Sequence, residues 1–147
     1  ILQTAVELDK RLPDNYRIVY KLHPMDRLRG SDRQLLDRAR RISVASNCDI
    51  YDLLAACDIV VGGYSTVLFE AIAFGRPVIA LDTPMARRYL PAKWIEFVSS
   101  TDQLVDIVIE SEQYHTSMPS TQHMWELEWR SNLARFLGTI GMRCNTA

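Results

Sequence analysis

The chain has 147 residues, 48% hydrophobic and 24% charged, which suits one globular domain that buries its core without disulfide or metal staples. Six Gly and six Pro exclude collagen-like and low-complexity chains, and no apolar run reaches the roughly 18 residues of a membrane span. The net charge of -1 is unevenly spread: residues 1–41 hold ten Lys/Arg against six Asp/Glu, and residues 42–147 hold seven against twelve. The basic front suits an anionic ligand, although solvated helix faces look the same, and the slightly acidic whole disfavours nucleic acid.

The elements alternate along the chain. Residues 1–12 carry a helical stripe of Ile1, Leu2, Ala5, Val6, Leu8 and Leu12, ended by Pro13-Asp14-Asn15. RIVYKL (17–22) is a β-rich run, residues 31–41 read as a helix, and ISVAS (42–46) as a second strand. Asp49 caps a short helix with Ile50, Leu53, Leu54 and Cys57 on its inner face. IVVG (59–62) suits a strand buried on both faces. Ser65 or Thr66 opens the next helix, Gly75 closes it, and VIAL (78–81) is another buried strand. Residues 83–93 read as a loop and WIEFV (94–98) as a strand. Thr101 is expected to cap a helix to about Glu112 with Leu104, Val105, Val108 and Ile109 inward. A final helix carries Trp125, Trp129, Leu133, Phe136, Leu137 and Ile140.

Strands separated by short helices predict an α/β fold, with a parallel sheet of about five strands and helices on both faces. A doubly wound unit normally opens on a strand and this chain opens on a helix, so residues 1–147 are expected to be the C-terminal portion of a longer polypeptide. Cys48, Cys57 and Cys144 are odd in number and lack CxxC spacing, the three His are far apart, and ILQTAVELDKR lacks a signal-peptide layout. The expectation is a reduced, cytosolic protein without structural zinc, with Cys48 and Cys57 as small buried residues.

Ligands of open parallel sheets sit beyond the carboxyl ends of the strands. LHP (22–24), ASNC (45–48), GGYST (62–66) and DTPMARR (82–88) fall there. Gly62 and Gly63 permit a sharp turn and close approach, and the N–H groups of Ser65, Thr66 and Val67 at a helix start form an anion site with the two hydroxyls. The plain alternative is an N-cap. Glu70 lies among Leu68, Phe69, Ala71, Ile72 and Ala73, so its carboxylate needs partners, either ligand hydroxyls or a local backbone or Arg pairing. His23 before Pro24 is held extended, either aimed at the cleft as a phosphate donor or general acid, or a plain loop histidine. Arg27, Arg29, Arg87 and Arg88 lie near two of these ends, as phosphate contacts or as surface residues.

YKLHP (20–24) and DIYDLLAACDIVVGGYSTVLFEAIAFGRPVIALD (49–82), in that order, resemble the C-terminal, donor-binding domain of GT-B glycosyltransferases. The resemblance is closest to the group with a His-Pro and a Ser-Ser/Thr motif: CDP-glycerol glycerophosphotransferases, bacterial sialyltransferases and capsule transferases. It covers residues 17 to about 112. It implies one half of a GT-B, Rossmann-like fold that takes part in glycosyl or glycerophosphate transfer in surface-polysaccharide synthesis. His23 is implied as catalytic and phosphate-holding. Gly63, Tyr64, Ser65 and Thr66 are implied around the donor phosphates, Glu70 on the ribose and Ser46 against the base. A nucleotide-diphosphate or nucleotide-monophosphate donor is the implied substrate, with no cofactor and no metal. The implied partner is an N-terminal acceptor domain that supplies the base, in a cytoplasmic enzyme associated peripherally with the inner face of the membrane. Gly62 stands where many retaining members have a second Glu, and Gly63 where the glycerophosphotransferases usually have Asp. A UDP-N-acetylglucosamine 2-epimerase-like half and a non-catalytic interaction module are the alternative readings.

Overall fold

The computed structural model describes residues 1–23 and 25–111; the polar stretch with His115 and His123 and the expected final helix with Trp125 and Trp129 lie outside the described residues, as does Pro24. Five strands alternate with six helices among the described residues: α1 (Leu2–Arg11), β1 (Ile18–Lys21), α2 (Gly30–Leu36), β2 (Ile42–Ala45), α3 (Ile50–Ala56), β3 (Val60–Gly62), α4 (Thr66–Ala73), β4 (Val78–Leu81), α5 (Pro84–Tyr89), β5 (Ile95–Val98) and α6 (Thr101–Glu110). All strand pairings are parallel, as expected for an α/β, Rossmann-like unit. The ladders fall into two groups, β1-β2 and β3-β4-β5, where the sequence predicts one sheet.

Alternation along β4 sorts the core into two layers. Val78 and Ala80 pack with Leu54, Leu68, Ala71, Ile72, Ala86, Leu90 and Ile95. Ile79 faces the other way, into Leu8, Leu12, Val98, Leu104, Val105 and Val108. α4 therefore covers one face and α1 with α6 the other. Ile18 of β1 and Val61 of β3 both pack on this second cluster, so the two ladders share a core. β3 is half-buried along its length rather than fully buried, because it stands at the end of its ladder.

Caps fix the helix starts. The carboxylate of Asp49 accepts from the Tyr51 amide at 2.8 Å, and the Ser100 hydroxyl from the Gln103 amide at 3.2 Å. Ser100, not Thr101, is thus the cap of α6, and Ile109 is exposed instead of facing the sheet. Residues 84–89, expected in a loop, form α5, because Thr83 accepts from the Ala86 amide at 3.1 Å and Pro84 stands in the first turn. α2 ends at Leu36, short of the predicted 41, and residues Arg40 and Arg41 are used instead to hold Asp9. The Asp9 carboxylate accepts both of their backbone amides, at 2.8 and 3.0 Å, and the Arg41 guanidinium at 3.3 Å. That guanidinium also donates to Leu12 O at 2.9 Å and to Pro13 O and Asp9 O, satisfying carbonyls at the end of α1. Part of the basic front half is therefore structural.

Candidate functional site

Parallel pairing brings the segments after β1 and β2 out on one side, and the first turn of α1 links that side to the end of β3, with Leu2 beside Tyr20 and Leu22 and Ile1 beside Gly63. After β1, His23 is exposed, and its Nδ1 accepts the Met25 amide at 3.2 Å. In the neutral ring the proton then stands on Nε2, which is left to donate outward. After β2, Ser46 is exposed, and Lys21 Nζ bridges Leu22 O at 2.8 Å and Ser46 O at 3.4 Å, joining the first two strand ends.

After β3, Gly63 is half-buried and Tyr64, Ser65 and Thr66 are exposed at the start of α4. Neither Gly62 nor Gly63 has a positive φ, so the sharp turn expected of them is not what they provide. Gly62 permits close packing instead: a Cβ there would lie 2.9 Å from a Leu68 methyl. The Ser65 hydroxyl caps α4 by accepting the Val67 amide at 3.4 Å, so that N–H is not free as expected. The Ser65 hydroxyl keeps its proton to donate, and the Thr66 hydroxyl and amide have no hydrogen-bond partner among the described residues.

Glu70 is half-buried in α4, and its carboxylate has no hydrogen-bond or ion-pair partner among the described residues. The Arg pairing weighed for it is absent there: Arg76 donates to Leu54 O and Ala55 O, and Arg87 is held by Asp82. Arg87 makes two 2.8 Å bonds to Asp82 and stacks 4.2 Å above the Phe97 ring. Its hydrogen bonds hold the Asp82 carboxyl below the usual carboxylate range despite desolvation. Arg87 is therefore a structural residue at the ends of β4 and β5. Arg27 and Arg29 border an open depression of about 590 Å³ with Leu2, Tyr20, Leu22 and Met25. Burial, with Asp32 and Asp26 nearby, pushes the Tyr20 hydroxyl above its ordinary pKa.

The predicted residues thus gather along one side, but no contact joins His23 to Ser65 or Thr66 among the described residues, and the depression is lined by the neighbours of His23, Leu22 and Met25, rather than by His23, Ser65 or Thr66. Of the cysteines, Cys57 packs against the core but is only half-buried where burial was expected, and desolvation raises its thiol pKa. Cys48 is exposed, contrary to expectation, because it lies in the open turn between β2 and Asp49. Among the described residues no group of three His, Cys, Asp or Glu could hold a metal, and no helix is long and apolar enough to cross a membrane. Sequence reasoning missed the Lys21 bridge, since nothing in a strand-end lysine signals which carbonyls it meets.

A sequence family described as CDP-Glycerol:Poly(glycerophosphate) glycerophosphotransferase matches residues 3–86, over half of the chain. No curated protein matches. Among solved structures, UDP-GlcNAc 2-epimerase from Neisseria meningitidis bound to UDP-GlcNAc aligns with a TM-score of 0.58 and 22% identity. The alignment covers 78% of this chain and 33% of that one, so the chain spans about a third of that neighbour's length. This likeness concerns the fold alone.

Proposed function

The chain belongs to the CDP-glycerol:poly(glycerophosphate) glycerophosphotransferase family, and from that membership we propose that residues 1–147 bind a nucleotide-activated donor for glycerophosphate or glycosyl transfer in surface-polysaccharide synthesis. The observation that carries the reading is the start of α4, where Gly63, Tyr64, Ser65 and Thr66 follow a parallel strand at the end where open sheets take ligands. Its positive dipole end and hydroxyls suit the donor phosphates. The Nε2–H of His23 supplies a further phosphate donor from the end of β1. The unpaired Glu70 carboxylate offers an acceptor to ribose hydroxyls, and the exposed Ser46 segment is the place for the base.

With a glycerophosphate donor, an acceptor hydroxyl attacks the glycerol-bearing phosphorus. The phosphoanhydride bond breaks, and the nucleoside monophosphate leaves with the electron pair. The chain's part is to stabilise that departing phosphate. The acceptor proton goes to a base on a preceding domain, so residues 1–147 alone bind donor without turning it over. In this reading the full enzyme works at the cytoplasmic face of the membrane. A ¹⁵N NMR titration with CMP, CDP, UDP and GDP tests it. Shifts centred on Gly63–Val67 and Leu22–Met25, strongest with CDP, are expected. A preference for UDP would favour an epimerase-like half, and no shift with any nucleotide a non-catalytic module.

A further inference from the structure

The open depression at the end of β1, about 590 Å³, takes no part in donor binding as argued above, and its lining is chemically mixed. Half-buried Tyr20, Leu22 and Leu28 give it an apolar side. Arg27 and Arg29 line it as well, both exposed, and neither guanidinium is in an ion pair among the described residues. Asp26 and Asp32 also line it, close enough to the Tyr20 hydroxyl to oppose its ionisation. Two cations and two carboxylates leave no net charge, so a bare anion is drawn by one pair and repelled by the other. A polyol phosphate suits both pairs. Its phosphodiester takes the guanidinium forks, its hydroxyls donate to the carboxylates, and its methylene groups lie on the apolar side. We propose that this depression is a subsite for the glycerophosphate acceptor chain, with Arg27 and Arg29 on a phosphodiester and Asp26 and Asp32 on glycerol hydroxyls.

Hydrogen bonds hold this lining in place. The Asp26 amide donates to His23 O at 2.9 Å and the Met25 amide to His23 Nδ1 at 3.2 Å, so the turn that leads into the depression is built on His23. Further along, Asp32 Oδ2 accepts the Arg29 amide at 2.8 Å, which ties Arg29 to the start of α2. The second carboxylate oxygen of Asp32 has no partner among the described residues and is left to accept a ligand hydroxyl. Placement favours the acceptor over the donor. Leu2 borders the depression, and Ile1 Cδ1 lies 3.6 Å from where a Cβ on Gly63 would stand. The first turn of α1 thus stands between the depression and the start of α4. In phosphoryl transfer the attacking and leaving oxygens lie roughly in line, on opposite sides of the phosphorus. With the leaving nucleotide phosphate at the start of α4, the acceptor enters from the other side, past His23. The inference rests on the donor reading for that direction, and on the depression's own lining for the ligand chemistry.

The test is a ¹⁵N NMR titration of the chain with a short synthetic oligo(glycerophosphate), alone and with CDP at saturation, and with inorganic phosphate for comparison. Shifts at Tyr20, Leu22 and Arg27–Asp32 are expected from the oligomer with and without CDP, at higher affinity than for inorganic phosphate. The Arg27→Gln/Arg29→Gln variant is expected to bind the oligomer at least about 10-fold more weakly. Arg33→Gln, which removes an exposed α2 cation outside the depression, is expected to bind it as wild type does. Equal weakening by Arg33→Gln overturns the proposal, by making the attraction diffuse charge. Equal affinity for inorganic phosphate overturns it, and so do shifts confined to Gly63–Val67 that CDP abolishes, which place the oligomer in the donor's site. The shift map of the wild-type chain decides alone if the double variant does not fold. Failure of the two readings is told apart: CDP binding with no oligomer binding overturns the subsite and leaves the donor reading. Oligomer binding at the depression with no CDP binding supports the subsite and overturns the donor reading.

Discussion

Adjacent glycines here have different duties, and substitution separates them. A Cβ at Gly62 would press to 2.9 Å on a methyl of Leu68, which is fully buried, so Gly62→Ala must displace that side chain within the core. The expected loss is about 1–3 kcal/mol in urea unfolding. A Cβ at Gly63 meets Ile1 at an ordinary 3.6 Å, so Gly63→Ala is expected to stay within about 0.5 kcal/mol of wild type. Equal costs for both would show that the glycines are not distinguished by packing. His23 gives a second test. With Nδ1 accepting the Met25 amide, ¹⁵N NMR of the neutral ring should find the proton on Nε2. His23→Ala should weaken CDP binding by about 1.5–3 kcal/mol, the worth of a hydrogen bond to a charged group. An Nδ1-protonated ring or unchanged affinity would return His23 to a loop residue. The residue types of this site were legible in the sequence, because Gly-Gly-x-Ser-Thr after a strand and His-Pro at a strand end are local signals. The partners of Gly62, Lys21 and Arg87 were not, since each is met from a separate segment.

At the scale of elements, the Asp9–Arg41 pair ties the end of α1 to the start of β2. The Asp9 side chain is 4% exposed and that of Arg41 12%. Burial pushes the Asp9 carboxyl up, but the amides of Arg40 and Arg41 and the Arg41 guanidinium hold it below the usual range. A carboxylate whose folded pKa is depressed contributes stability in full above its unfolded value of about 3.9, lost as pH falls through the lower folded value. Urea midpoints of wild type and Asp9→Asn should therefore converge as pH drops below about 4; a constant gap would contradict this role. Arg41→Ala, which leaves the buried Asp9 carboxylate with only its two backbone amide donors, should cost about 1.5–3 kcal/mol at pH 7. Periodicity revealed the helices that bury a stripe, such as α1 and α6. It missed α5, six residues long, whose evidence was the Thr83-Pro84 start rather than any stripe. It overran α2 because Arg38–Arg41 suit a helix surface, and only the tertiary pull of Asp9 ends the helix early.

For the whole molecule, five parallel strands with helices on both faces follow from the alternation of apolar runs and caps. The division into two ladders does not, because strand order is decided by edges that meet across the fold. The proposed site follows the same rule: parallel strands predict that their carboxyl ends share a side, whereas His23 and Ser65 stand on separate ladders whose relative placement no local signal encodes. Donor binding at the start of α4 is the claim on which the function rests. Its most direct test is calorimetric titration of residues 1–147 with CDP, for wild type and the Ser65→Ala/Thr66→Ala variant, with circular dichroism checking that α4 survives loss of its cap. The account predicts saturable one-to-one binding weakened by about 1.5–3 kcal/mol in the variant, roughly 10- to 150-fold in Kd. Absence of binding by the folded wild type, or equal affinity in both proteins, would contradict it.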